Sequence, residues 1–127
     1  MNEAQYIPAS GSFAFRNVRT GEALARFAGD EIRYRHWLID FISHGPAAVK
    51  QIREAISNGS RNTATDLAHA LKGRTGMLGL VEPQSITQSL EITLRNSEPS
   101  AYWLEELEGT VAEMCQEISA VLGERPS

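Results

Sequence analysis

Apolar residues recur at intervals of three and four along most of this chain, and nowhere do they alternate at the interval of two that a half-buried strand requires. The clearest stripe is Leu104, Leu107, Val111, Met114, Ile118 and Val121, which predicts a bundle helix from near Pro99 to about Leu122. A second stripe, Leu67, Leu71 and Leu78, falls within roughly 40° on a helical wheel, and Ala64 and Thr75 extend it. It predicts a helix from about Asn62 to Leu78, closed by Gly79. Between these two, Pro83 marks the start of a helix reaching about Asn96. Upstream, Asp30 caps a helix running to about Ser43, with Ile32, Leu38, Ile39, Phe41 and Ile42 as its apolar surface. Gly45-Pro46 interrupts that pattern, and a further helix starts there with Val49, Ile52 and Ile56 on one face, stopped by Asn58-Gly59-Ser60. A short helix over Thr20 to Phe27 precedes Gly29, and the polar lead from Met1 to Arg16 has no helical period. The expected fold is all-α, an antiparallel four-helix bundle with one or two short additional helices at its amino end.

Composition narrows this picture. A length of 127 residues suits one domain with a modest core. We expect a linker or packing arm over 1–16, the bundle over 17–123 and a tail over 124–127, the lead resembling an excised linker more than a native start. There is no run of 18 apolar residues and no basic-then-apolar leader, which points to a cytoplasmic protein without membrane contact. Cys115 is the single cysteine, so no internal disulfide forms. With scattered basic residues and a net charge of −4, nothing in the chain favours nucleic acid. A monomer is expected.

Candidate chemistry lies opposite the leucine stripe. His69 points roughly 160° from the stripe's centre, and around it the wheel places Thr65, Lys72, Gly73 and Gly76. Glycine within a helix costs about 0.5–1 kcal/mol relative to alanine, so two glycines beside one histidine imply close approach by a partner. Neutral imidazole is a nucleophile at physiological pH, and either ring nitrogen can attack while the other keeps its proton. Lys72, one turn along, is placed to offset charge on phosphoryl oxygens. No carboxylate cluster accompanies the histidine to hold a metal, so this chain needs no cofactor of its own, and Mg²⁺ for phosphoryl transfer is expected on the partner.

The segment Ala68-His69-Ala70-Leu71-Lys72-Gly73, with Gly79 ten positions after the histidine, resembles the signature of histidine-containing phosphotransfer (HPt) domains of bacterial and fungal phosphorelays. Leu90-Glu91 matches the pair these domains carry on the next helix, and Arg26-Phe27-Ala28-Gly29-Asp30 resembles their opening junction. The form is most similar to the carboxy-terminal modules of hybrid sensor kinases. The resemblance implies a phosphorelay intermediate without autonomous kinase activity. In it His69 takes a phosphoryl group from one receiver-domain aspartate and gives it to another, the receivers belonging to a hybrid sensor kinase or a response regulator. It further implies that Glu91 hydrogen-bonds the imidazole, that Arg95 approaches the site, and that Leu24, Phe27 and Thr65 belong to the receiver-docking surface.

Other readings remain open from sequence. Without the motif His69 reads as an ordinary solvated surface histidine, Lys72 and Arg95 as solvated cations, Gly73 and Gly76 as packing residues and Gly79 as a helix cap. Arg74 either lies along the bundle or pairs with Asp66 or Glu82. His36, Asp40 and His44, spaced by four, offer two-residue metal sites without completing a shell. A domain fed by a kinase, as in chemotaxis kinases, and a bundle that only sequesters a receiver are the functional alternatives. No Gly-rich nucleotide loop is present.

Overall fold

The computed structural model describes residues 18–123. The lead over 1–16 and the tail over 124–127 lie outside the described residues. Five helices follow in order: α1 (Thr20–Arg26), α2 (Glu31–Ser57), α3 (Arg61–Leu78), α4 (Val81–Arg95) and α5 (Ala101–Leu122). Helices α2 to α5 pack in a ring, each on its chain neighbours and α5 back on α2, while α1 lies across α2 and α3. Short connections between consecutive helices make the four antiparallel. The expected stripes face the core: Leu71, Leu78, Leu104, Leu107, Val111, Met114 and Ile118 are buried, and Leu67 and Val121 are half-buried at its edge.

Asp30 caps α2 as expected, its Oδ1 accepting from the Arg33 N–H at 3.0 Å. The break expected at Gly45-Pro46 does not occur. α2 is one helix of 27 residues with Pro46 inside it. The inward stripe Tyr34, Leu38, Phe41, Ile42, Gly45, Val49, Ile52 and Ala55 keeps one helical phase through the proline, and burying it outweighs a local cost of about 3 kcal/mol. Two neighbours accommodate the interruption. At Gly45 a Cβ would lie 2.7 Å from the Phe41 ring, so only glycine lets that ring fold along the helix. Pro46 cannot donate to the Ile42 carbonyl, and the buried Cys115 thiol of α5 lies 3.7 Å from that oxygen and from the Phe41 oxygen. Burial pushes this thiol up to about 11, so it remains a protonated donor.

Ile32, expected among the apolar surface of α2, is instead 82% exposed. Tyr34 takes the inward place in that turn, and Ile32 points roughly 160° away from it. Pro83 sits in the first turn of α4, where its missing N–H leaves no bond unmade, so the helix still begins at Val81.

The end of α3 is held from three directions. Gly79 adopts φ +76° and closes the helix, as its cap reading requires. The Arg19 N–H donates to the Gly79 carbonyl at 2.9 Å, beside a Val18–Leu80 bridge. Arg26 of α1 donates to the Gly76 and Met77 carbonyls at 2.9 and 3.2 Å, and the buried Tyr34 hydroxyl donates to the Leu78 carbonyl at 2.8 Å. Burial raises the Tyr34 phenol well above its usual value, keeping it a donor. These bonds satisfy carbonyls that a helix end otherwise leaves unpaired and fix the register of α3, hence the position of His69.

Candidate functional site

Helices α3 and α4 make the most extensive contact in the bundle, and the buried side of α3 carries the small residues Ala64, Thr65 and Ala68. This close approach brings Glu91 of α4 under the outward face of α3. The Glu91 side chain is only 5% exposed, and three basic groups converge on it. His69 Nδ1 lies 2.9 Å from Oε2. Arg95, one turn along α4, donates to the same oxygen through Nη2 at 2.6 Å and Nε at 3.1 Å. Lys72 Nζ lies 3.0 Å from Oε1, as an ion pair without hydrogen-bond alignment.

Burial by itself would raise the Glu91 carboxyl, but the Arg95 guanidinium bonded to it, the Lys72 ammonium beside it and the His69 contact overturn that effect and hold it at about 2. The group is therefore a carboxylate at neutral pH and only accepts hydrogen bonds. Its contact with Nδ1 is satisfied only when Nδ1 carries the proton. A neutral ring then keeps its lone pair on Nε2, and the His69 side chain as a whole is 62% exposed. The arrangement presents a nucleophilic nitrogen outward with its tautomer fixed from below. It also places a carboxylate where it can stabilise a positive charge on the ring.

The remaining candidates divide. Gly73, one turn beyond His69, is exposed, and a Cβ there would meet nothing within 4 Å, so the surface beside the imidazole is open. Gly76 leaves room for the Gln84 side chain reaching over it from α4: a Cβ there would lie 2.7 Å from Gln84 Nε2, the flexible end of that chain. Leu24 of α1 and Phe27, which caps that helix, are half-buried against the core, with the Phe27 ring 5.5 Å from that of Tyr34. Thr65 does not belong to the exposed surface. It is 7% exposed and its hydroxyl turns back to the Arg61 carbonyl, because α4 packs on that side of α3. Arg74 pairs with neither Asp66 nor Glu82; it reaches Asp40 of α2 at 3.4 Å and lies 5.0 Å over the Trp37 ring. That ion pair takes one member of the His36, Asp40, His44 series, and among the described residues no three His, Cys, Asp or Glu side chains gather as a metal site. Neither His36 nor His44 pairs with a carboxylate among the described residues. Arg26 and Tyr34, which hold the end of the histidine helix, were not anticipated; their partners are backbone carbonyls 50 and 44 residues away, and no local pattern signals such a bond.

A family model, the Hpt domain, matches residues 36–122, from within α2 to the end of α5. The chain belongs to the Hpt domain family. Hpt domains are histidine phosphotransfer modules of two-component phosphorelays, without kinase activity of their own, and they interact with receiver domains and response regulators. No curated protein and no solved structure gave a match. The Hpt match covers all three histidines of the chain and leaves α1 outside it. Among the described residues no helix is long and apolar enough to cross a membrane.

Proposed function

We propose that His69 is the phosphorylated residue, and that the domain is a relay intermediate taking a phosphoryl group from one receiver aspartate and passing it to a second. The observation that carries this reading is the Nδ1 contact with buried Glu91, which leaves Nε2 as the nucleophile on the exposed side. In the accepting step the Nε2 lone pair forms the N–P bond as the P–O bond of the aspartyl phosphate breaks, and the electron pair leaves with the receiver's carboxylate. The Nδ1 proton stays in place, and the resulting cationic ring lies against the Glu91 carboxylate. Passing the group on reverses these bonds at a second receiver. Mg²⁺ belongs to the receivers, whose acidic pockets hold it. Gly73 gives the incoming loop access, and Leu24 and Phe27 border the docking surface. This reading places the domain in the cytoplasm, with receivers of a hybrid sensor kinase or a response regulator as partners.

The test is transfer from a panel of phosphorylated receiver domains in Mg²⁺, with a second unphosphorylated receiver added after the first is removed. Acid-labile, base-stable label should appear on the wild type, move to the second receiver, and be absent from His69→Gln. Label that no receiver supplies, but that an ATP-bound kinase domain does, would replace this reading with the kinase-fed one.

A further inference from the structure

We propose that the two cations on Glu91 have separate tasks: Arg95 is a positioning residue that keeps the carboxylate on Nδ1 throughout the cycle, while Lys72 leaves it for the phosphoryl group. The proposal rests on His69 being the phosphorylated histidine. The asymmetry of the contacts carries it. Oε2 receives both Arg95 bonds and the His69 Nδ1 bond, whereas Oε1 has Lys72 alone, at 3.0 Å and off the hydrogen-bonding direction. Arg95 stands on the same helix as Glu91, four residues on, and engages with two donors of a planar fork. Lys72 is a point charge on a flexible stem, 30% exposed, on the histidine's own helix and one turn from it.

Phosphorylation at Nε2 sets an anionic group against this arrangement. Glu91 is then repelled by the phosphoryl oxygens and attracted by the cationic ring, and a lone lysine would have to serve two anions at once. With Arg95 fixed on Oε2, Lys72 can turn to the phosphoryl group without leaving a buried carboxylate unpaired, which is the costly outcome in an interior. Tautomer control therefore persists in the phosphorylated state, where it is needed for the onward transfer.

The test loads the whole chain chemically, so it does not depend on any receiver. Phosphoramidate donates its phosphoryl group to Nε2: the N–P bond to the ring forms, the donor's own P–N bond breaks, and ammonia leaves with the three protons of the reactive zwitterion. The readout is solvent exchange of the Nδ1 proton, with ring ¹⁵N shifts, before and after loading. In the wild type the proton is protected in both states. In Arg95→Met it stays protected before loading, since Lys72 still holds Glu91, and exchanges about tenfold faster or more after loading. In Lys72→Met protection persists in both states, while loading slows by about tenfold. Circular dichroism verifies folding, and Arg95→Gln serves as a second variant read the same way. The proposal is overturned if Arg95→Met leaves the proton protected after loading, or if the two substitutions have the same effect in both states. Receiver transfer that fails while these results hold would refute the relay reading alone.

Discussion

Replacing Glu91 by glutamine keeps the shape of the side chain and removes its charge, so it isolates what that charge contributes to folding. The wild-type carboxyl is lowered from an ordinary 4.5 to about 2 by Arg95, Lys72 and His69, against the effect of burial. Since the folded-state value is the depressed one, the stabilisation is fully present above the unfolded value and is lost as pH falls through the interval from 4.5 towards 2. At about 1.4 kcal/mol per pH unit the contribution is about 3 kcal/mol, somewhat less at high salt because Lys72 and Arg95 are partly exposed. Urea unfolding followed by helical circular dichroism from pH 7 to pH 2 measures it in both proteins. The other carboxyl groups titrate alike in the two, so the difference curve reports Glu91. Wild-type stability should fall by about 3 kcal/mol more than that of Glu91→Gln across this window. Parallel curves would show that Glu91 is not held as a carboxylate by its neighbours, and the argument for the Nδ1-protonated tautomer would fall with it.

Three further substitutions test how the histidine helix and its neighbour are held. Tyr34→Phe leaves the buried Leu78 carbonyl without its donor and should cost about 1–3 kcal/mol in urea unfolding; an unchanged midpoint would mean that the bond contributes nothing net. Gly79→Ala forces a Cβ into a left-handed position 2.8 Å from the Arg19 carbonyl oxygen. It should destabilise by about 1–2 kcal/mol or more and speed amide exchange at Arg19, while unchanged exchange there would show that the Arg19 bond to the Gly79 carbonyl does not depend on that turn. Pro46→Ala gives the Ile42 carbonyl a backbone donor and should stabilise the bundle by about 1 kcal/mol or more, whereas a loss of stability would show that α2 requires the proline.

Features governed by neighbours in sequence were legible in advance. Asp30 as a cap, Gly79 as a left-handed stop and the stripes of α3 and α5 all depend on spacing within a turn or two. Pro46 misled because its local cost is plain, whereas the compensation is distributed: an inward stripe that never changes phase, a glycine making room for Phe41, and a thiol from α5. The phase was available in the sequence, since Leu38, Phe41, Ile42, Val49 and Ile52 fit one wheel. Thr65 misled for another reason. An ideal wheel centred on leucines does not tell which flank the next helix occupies, and α4 took the flank carrying Thr65, beside Leu94 and Arg95. Motif and spacing single out His69, Lys72 and Glu91 as candidates, but the convergence of Lys72, Arg95 and Nδ1 on one buried carboxylate is a three-dimensional fact. The same holds for Arg26 and Tyr34, whose partners are carbonyls far along the chain.

If Nε2 of His69 carries the phosphoryl group of this Hpt domain, as we propose, the bond itself can be observed. Its most direct measurement is the site of attachment after transfer from a phosphorylated receiver, read by ³¹P and ring ¹⁵N resonance on the intact chain. A single phosphohistidine at position 69 is expected, bonded through Nε2, with the Nδ1 proton still present. Attachment through Nδ1, or at His36 or His44, would contradict it.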